Sequence, residues 1–281
     1  MTMARQKPPF ETIAVDSWST FQEVVTGQKY RSWAFRGQAD ARWPLYSSIS
    51  RYFREHGVNQ KAWAGQEERI VRIFQRKAHL FLEHVPAESD AFQWLALMQH
   101  HGAPTRLLDF TWSPFVAAFF ALERTTTAAA VWALYPPEIW RVKHKFPARK
   151  GLVPGDMLNL RIPDNYTRFF LGNAVPFVVT GEPNVMNQRL VAQSGTFVVP
   201  GILSRPVEDV LAMYPNPERT VVKFVLNTTA IREEAMRSFY SMNITNATLF
   251  PGLDGMARSL AYELEFHWGY DPKTMKRYPG Y

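Results

Sequence analysis

The spacing of apolar residues changes character once along this chain, and that change limits its folds more than any other feature. Up to Leu122 apolar residues recur at helical intervals, whereas beyond Thr127 they come in short runs of β-prone residues. Helix is expected over residues 17–27, with Asp16 or Ser17 as N-cap and Trp18, Phe21, Val24 and Val25 on one face. A longer amphipathic helix is expected over 66–84, with Ile70, Val71, Phe74, Ala78 and Phe81 inward and Glu67, Arg69, Arg72 and Lys77 in water. Asp90 would cap a helix that reaches His100 and stops at Gly102, and Ser113 would cap another with Pro114 at its first position. A short strand is expected over 33–36, ended by Gly37, and further strands over 129–135, 176–180, 195–199 and 220–226. Helix returns over about 230–240 and 252–266.

Helices mostly from the N-terminal half and strands mostly from the second, without regular βαβ alternation, imply an α+β protein with a mixed or antiparallel sheet. No Gly/Ser/Pro-rich or single-charge stretch divides the 281 residues, so one domain over 1–281 is expected, with a core of about 20–266 and extensions at both ends. The absence of cysteine excludes disulfides, thiolate zinc sites and cysteine nucleophiles. Residues 1–10 contain no apolar segment of the signal-peptide kind, and no later run approaches the ~20 residues of a bilayer span, so a cytoplasmic protein away from membranes is expected. The 32 Lys and Arg against 25 Asp and Glu leave a charge of +7. Such a balance suits an anionic partner, nucleic acid or nucleotide, and equally describes a solvated basic surface.

Three segments carry the candidate chemistry. In Ala34-Phe35-Arg36-Gly37-Gln38, strand alternation sends Phe35 to the core and Arg36 to the other face. An arginine at a strand end beside a glycine suits a bidentate grip on phosphate or carboxylate, or serves only as a structural arginine. The segment Gln99-His100-His101-Gly102-Ala103-Pro104-Thr105-Arg106-Leu107-Leu108-Asp109-Phe110-Thr111 packs polar and ionisable side chains between two helices. There His100 or His101 could carry a proton, Arg106 could bind phosphate and Thr111 could contact ribose or amide; alternatively Arg106 and Asp109 pair with each other and the histidines serve a helix C-terminus. Asp254 lies at an expected helix start, where the dipole stabilises its charge and an N-cap role would suffice. No dinucleotide glycine fingerprint, P-loop, serine elbow or i,i+4 zinc histidine pair occurs, so no metal is expected.

Taken in order, the Phe35-Arg36-Gly37 block with Trp43-Pro44-Leu45, the Gln99 to Pro114 segment and Ala117-Ala118-Phe119-Phe120-Ala121 resemble the FRG-domain family. Asn187-Gln188-Arg189-Leu190, Gln193-Ser194-Gly195-Thr196-Phe197 and the stretch from Thr248 to Gly255 continue the resemblance. The block order is also similar to the layout of ADP-ribosyltransferases: a strand-end arginine, a hydroxyl-bearing strand leading into an Ala/Phe-rich helix, and a late acid. That likeness implies NAD as substrate, with Arg36 on its pyrophosphate, His100 or His101 and Thr111 at the nicotinamide ribose, and Asp254 stabilising the oxocarbenium-like charge. Gly37, Gln38, Thr105, Arg106, Asp109, Arg189 and Gln193 complete the implied binding set, with Glu263 and Glu265 as alternative acids. It further implies an NAD-consuming bacterial or phage effector, a toxin or defence protein, with an anionic acceptor and an antitoxin or effector partner. A non-catalytic nucleotide or nucleic-acid-binding module is the alternative, and a phosphodiester hydrolase with a histidine base is a third reading.

Overall fold

Ala129-Ala130-Val131-Trp132-Ala133-Leu134 is apolar at every position, so as a strand it must be covered on both faces. The computed structural model, which describes residues 10–146, 151–267 and 269–279, places this segment second from the middle of a sheet with helices on either side. The strands are β1 (Glu11–Val15), β2 (Ala34–Gln38), β3 (Leu108–Thr111), β4 (Ala129–Leu134), β5 (Lys143–Lys145), β6 (Leu152–Pro154), β7 (Val178–Gly181), β8 (Gly195–Pro200), β9 (Val221–Leu226), β10 (Tyr270–Asp271) and β11 (Lys276–Arg277). Seven of them form one sheet in the order β1-β9-β4-β2-β3-β8-β7; β5 with β6 and β10 with β11 make two small ladders. The β1–β9 pair is parallel and the other neighbours in the sheet are antiparallel. The α+β class and the mixed sheet are as the sequence implies.

Alternation along the strands builds the layers. Ala129, Val131 and Ala133 join Phe35, Val222 and Phe224 in a core covered by helices Trp18–Thr26, Pro114–Leu122 and Thr228–Ser241. Ala130, Trp132 and Leu134 face the opposite way, with Leu108, Phe110, Val178 and Val198. The outer strands β8 and β7 give Phe197, Val199 and Val179 to a third core, under helix Ala91–His100 and the aromatic turn Tyr166–Phe170.

The sheet is nearly divided. β2 pairs with β4 at five positions and β3 with β8 at four, but β2 meets β3 only at Phe35↔Thr111. A four-strand half, β1-β9-β4-β2, is therefore joined to a three-strand half, β3-β8-β7, by a single pair. Beyond it β2 and β3 share no further ladder pair.

Several expectations need correction. Strand β2 runs on through Gly37 to Gln38 instead of stopping at the glycine. A Cβ on Gly37 would lie 2.0 Å from the Ala117 carbonyl oxygen and 2.6 Å from the Ala121 nitrogen, so the residue is glycine to let helix Pro114–Leu122 approach the strand. The long helix spans Trp63–Ala78, ending before Phe81, which is 84% exposed. Glu67, expected in water, is buried. Strands β1 and β3 and the short helix Asn246–Leu249 carry too few residues for a periodic signal.

Candidate active cleft

The divergence of β2 from β3 opens a cleft of about 200 Å3, lined by Phe35, Arg36, Gly37, Asp109, Thr111 and Phe120 together with Arg189 and Gln193. A small adjoining recess adds Gln99, His100 and Asn187 and shares Asp109, Arg189 and Gln193 with it. Residues from five separate chain segments meet here.

Arg36 leaves β2 on the face opposite Phe35, and its guanidinium reaches into the split, where Nη1 donates to the Asp109 carbonyl oxygen at 2.6 Å. The strand partner that β2 lacks beyond Thr111 is thus replaced by a side chain. Arg36 Nη1 lies 4.0 Å from the Asp109 carboxylate, a loose pairing, and its buried Nε has no hydrogen-bond partner. Burial lowers the Arg36 pKa from its ordinary value, with nearby Asp109 opposing and Arg51 adding to the shift. Even so the guanidinium stays charged at neutral pH, because an arginine is by far the strongest base among the side chains.

Arg189 is the second cation. Its guanidinium sits 4.7 Å from the centre of the Phe250 ring, and among the described residues no carboxylate pairs with it. Phe250 in turn packs edge-on against Phe120. Two arginines thus converge on a site with one acid, Asp109, so the local field favours an anion.

Asp109 is held from behind. Thr105 Oγ1 donates to Gln99 Oε1 at 2.7 Å, which orients the Gln99 amide so that Nε2 donates to Asp109 Oδ2 at 2.8 Å. Beside it, burial, then His101 and Arg189, lower the pKa of His100, which keeps the imidazole neutral at pH 7. Among the described residues the buried His100 Nδ1 has no partner. Arg36 Nε and His100 Nδ1 are therefore two buried polar atoms left unsatisfied in one small region, a pattern expected of a ligand site.

The other predicted residues divide. Thr111 lines the cleft but is buried, its hydroxyl donating to the Gln193 carbonyl at 2.6 Å and accepting from Ser113 N. Gln193 is tied by Nε2 to the Leu249 carbonyl at 3.0 Å. Thr105 acts through Gln99 and does not line the cleft. Gln38 is buried against Trp132, whose indole N–H it accepts at 2.7 Å. Arg106 is fully buried, Nε donating to Glu67 at 2.6 Å and Nη1 to the Pro200 carbonyl at 2.9 Å. It pairs with Glu67, not with Asp109. His101 is exposed, edge-on to His100, and Asp254 is exposed in the first turn of helix Leu253–Glu263; neither lines the cleft. Glu263 and Glu265 lie elsewhere, at the cavity described below.

Sequence reasoning left Gln99, Asn187, Phe120 and Phe250 out of the candidate set. Gln99 was legible as the residue beside His100 in the polar segment; the aromatic walls carried no signal separating them from core residues. Among the described residues, no three His, Asp or Glu side chains cluster as metal ligands do, and no helix is long and apolar enough to cross a membrane.

Residues 31–130 match the FRG domain family model, which bears out the resemblance read from the motifs. The matched region contains Arg36, Gln99, His100, Asp109 and Thr111 and stops short of Arg189 and Gln193. No curated protein and no solved structure matches the chain.

Proposed function

We propose that this chain, which matches the FRG domain over residues 31–130, seats the phosphates of a nucleotide in the split of its sheet and acts on NAD in the manner of an ADP-ribosyltransferase. The observation that carries the reading is the pair of arginines facing one small cleft, where, among the described residues, Arg189 has no carboxylate partner and Arg36 Nε no acceptor. Guanidinium groups with unused donors at a concave site are suited to bidentate phosphate binding. At about 200 Å3 the cleft is smaller than the ~300–1,000 Å3 of sites that enclose a drug-sized ligand, so it would hold one end of a dinucleotide and leave the rest at the open mouth.

Within this reading the acid beside the reacting centre is Asp109. The C–N bond between ribose and nicotinamide breaks, its electron pair leaves with the nicotinamide nitrogen, and the ribosyl carbon gains positive charge. The Asp109 carboxylate, fixed by Gln99, would stabilise that charge without reorganising. Neutral His100 would accept the proton of the attacking water or acceptor hydroxyl. Asp254, outside the lining, holds no role in this scheme. The basic charge of the chain favours an anionic acceptor, and an effector role in toxicity or defence follows if NAD is consumed.

A binding module without turnover is the second reading, and one observation favours it. Asp109 already accepts from Gln99 and lies 4.0 Å from Arg36, so its carboxylate is engaged within the protein before any ligand arrives. One experiment separates the two: incubation with NAD, followed for nicotinamide release, alongside ADP-ribose binding by calorimetry. Release that vanishes in Arg36→Gln and Asp109→Asn supports the transferase. ADP-ribose binding with no release assigns the module, and the absence of both refutes the nucleotide cleft.

A further inference from the structure

On another side of helix Pro114–Leu122 lies an open-mouthed cavity of about 930 Å3, more than four times the volume of the arginine cleft and within the range of organic-ligand sites. The two share no lining residue. Phe120 faces the cleft, and its neighbour Phe119 faces the cavity. The cavity is walled by residues 123–126, helix Thr228–Ser241, residues 243–248 and helix Leu253–Glu263 with Glu265.

Its charges set the sign of what it can take. Arg232 donates to the Leu122 and Glu123 carbonyls and forms a fork with Glu265, and Arg124 pairs with Glu123. Both lining arginines are therefore committed to acids of the same wall. Glu233 and Glu263 remain on the lining, the first in an exposed pairing with Arg237 and the second with no ion pair among the described residues. In a chain of charge +7 this is an acidic cavity, which repels phosphate and attracts an organic cation. Tyr240 and Tyr262 stack at 4.7 Å and 6°, and the half-exposed Tyr240 ring offers a face to an ammonium group. The side chains of Thr126, Thr229 and Asn243 make no hydrogen bond among the described residues and are free to bind a ligand amine.

The cavity and the cleft share one structural wall. Thr245 and Thr248 cap each other at the start of helix Asn246–Leu249, and Asn246 is bonded to Glu123 in the cavity. The next two residues serve the cleft: the Leu249 carbonyl accepts from Gln193, and Phe250 lies beneath Arg189 and against Phe120. Gly255 fixes the segment from behind, since a Cβ there would be 1.8 Å from the Phe250 carbonyl oxygen.

We propose that this cavity is a second ligand site for an organic cation of the linear polyamine or alkylamine class, and that its occupancy stiffens residues 243–250, the wall it shares with the arginine cleft. The full chain should bind spermidine saturably, and spermidine should slow amide exchange across 243–250 whether or not the cleft takes a nucleotide. Glu233→Gln with Glu263→Gln, both at the surface, should weaken spermidine about five- to tenfold, in line with two exposed charge pairs, while leaving the melting temperature in place. Ser259→Trp, which sets a bulky ring on the cavity lining, should also weaken binding. No saturable binding, or affinity unchanged in the charge-neutralised variant and in Ser259→Trp, overturns the site. Spermidine binding without slower exchange at 243–250 overturns the shared wall. Neither outcome depends on whether the nucleotide reading of the cleft holds.

Discussion

Removing Arg106 should damage stability rather than ligand binding, and the size of the damage can be worked from its partners. Burial works against the charge of Arg106, but Glu67 outweighs it and raises the guanidinium pKa above its ordinary value. The Tyr166 and Phe170 rings lie 5.6 and 5.7 Å from the same guanidinium, which is fully buried. Arg106→Met leaves the Glu67 carboxylate buried and unpaired, which costs about 3–5 kcal/mol, and leaves the Pro200 carbonyl without its donor. Glu67→Leu strands the guanidinium at a similar cost. The double variant removes both charges, so its loss should shrink toward the ~1–3 kcal/mol of the unsatisfied Pro200 carbonyl. Denaturant midpoints for the two single variants and the double give the coupling energy directly. Singles should melt on the order of 10 °C below the parent, with the double above Arg106→Met. If Arg106→Met kept the parent's stability and lost only nucleotide binding, Arg106 would be a ligand after all and the buried-strut account would fail.

Three further outcomes follow from the same structure. Gly37→Ala must move helix Pro114–Leu122 by more than 1 Å to relieve the 2.0 Å approach of its Cβ, so a loss of about 3 kcal/mol or more is expected in urea unfolding; a change under ~0.5 kcal/mol would mean the helix is not packed on the strand. Burial lowers His144 from 6.5 to about 4 and raises Glu208 from 4.5 to about 7. The unfolded state protonates His144 first, so its contribution is lost as pH falls below 6.5. The folded state keeps the Glu208 proton, so that contribution is present at acid pH and lost as pH rises through about 7. The two oppose each other between pH 4.5 and 6.5, and His144→Gln should gain relative stability on acidification across that window, by up to about 1.4 kcal/mol per pH unit; parallel curves for parent and variant would contradict a neutral buried His144. Gln99→Glu sets a second carboxylate against Asp109 Oδ2 and should weaken or abolish NAD turnover while ADP-ribose still binds through the arginines; unaltered turnover would remove Asp109 from the mechanism.

Much of this protein could be read from local pattern. Ser17, Asp90 and Ser113 each cap the helix that follows, because an N-cap is decided within three or four residues. The β-prone runs after Thr127 became β4, β7, β8 and β9, since β-branched and aromatic residues suit a pleated, largely buried surface. The ordered motifs pointed to the family whose model matches residues 31–130, and Arg36, Asp109, Thr111, Arg189 and Gln193 do meet in one cleft.

Tertiary structure decided what the residues of the polar segment do. Arg106 and Asp109 are three residues apart and read alike as ligands, yet one is buried against Glu67 on helix Trp63–Ala78 and the other faces the cleft. Nothing local distinguishes them, because the partner that claims Arg106 lies 39 residues upstream. The same holds for Gly37, whose need for glycine comes from a helix about eighty residues away, and for the split itself, which exists because β2 and β3 pair at a single position. Caps and buried strands answer to near neighbours in the chain, and so the sequence alone determined them; a cleft answers to which distant surfaces stop short of each other, and only the packed molecule settles that.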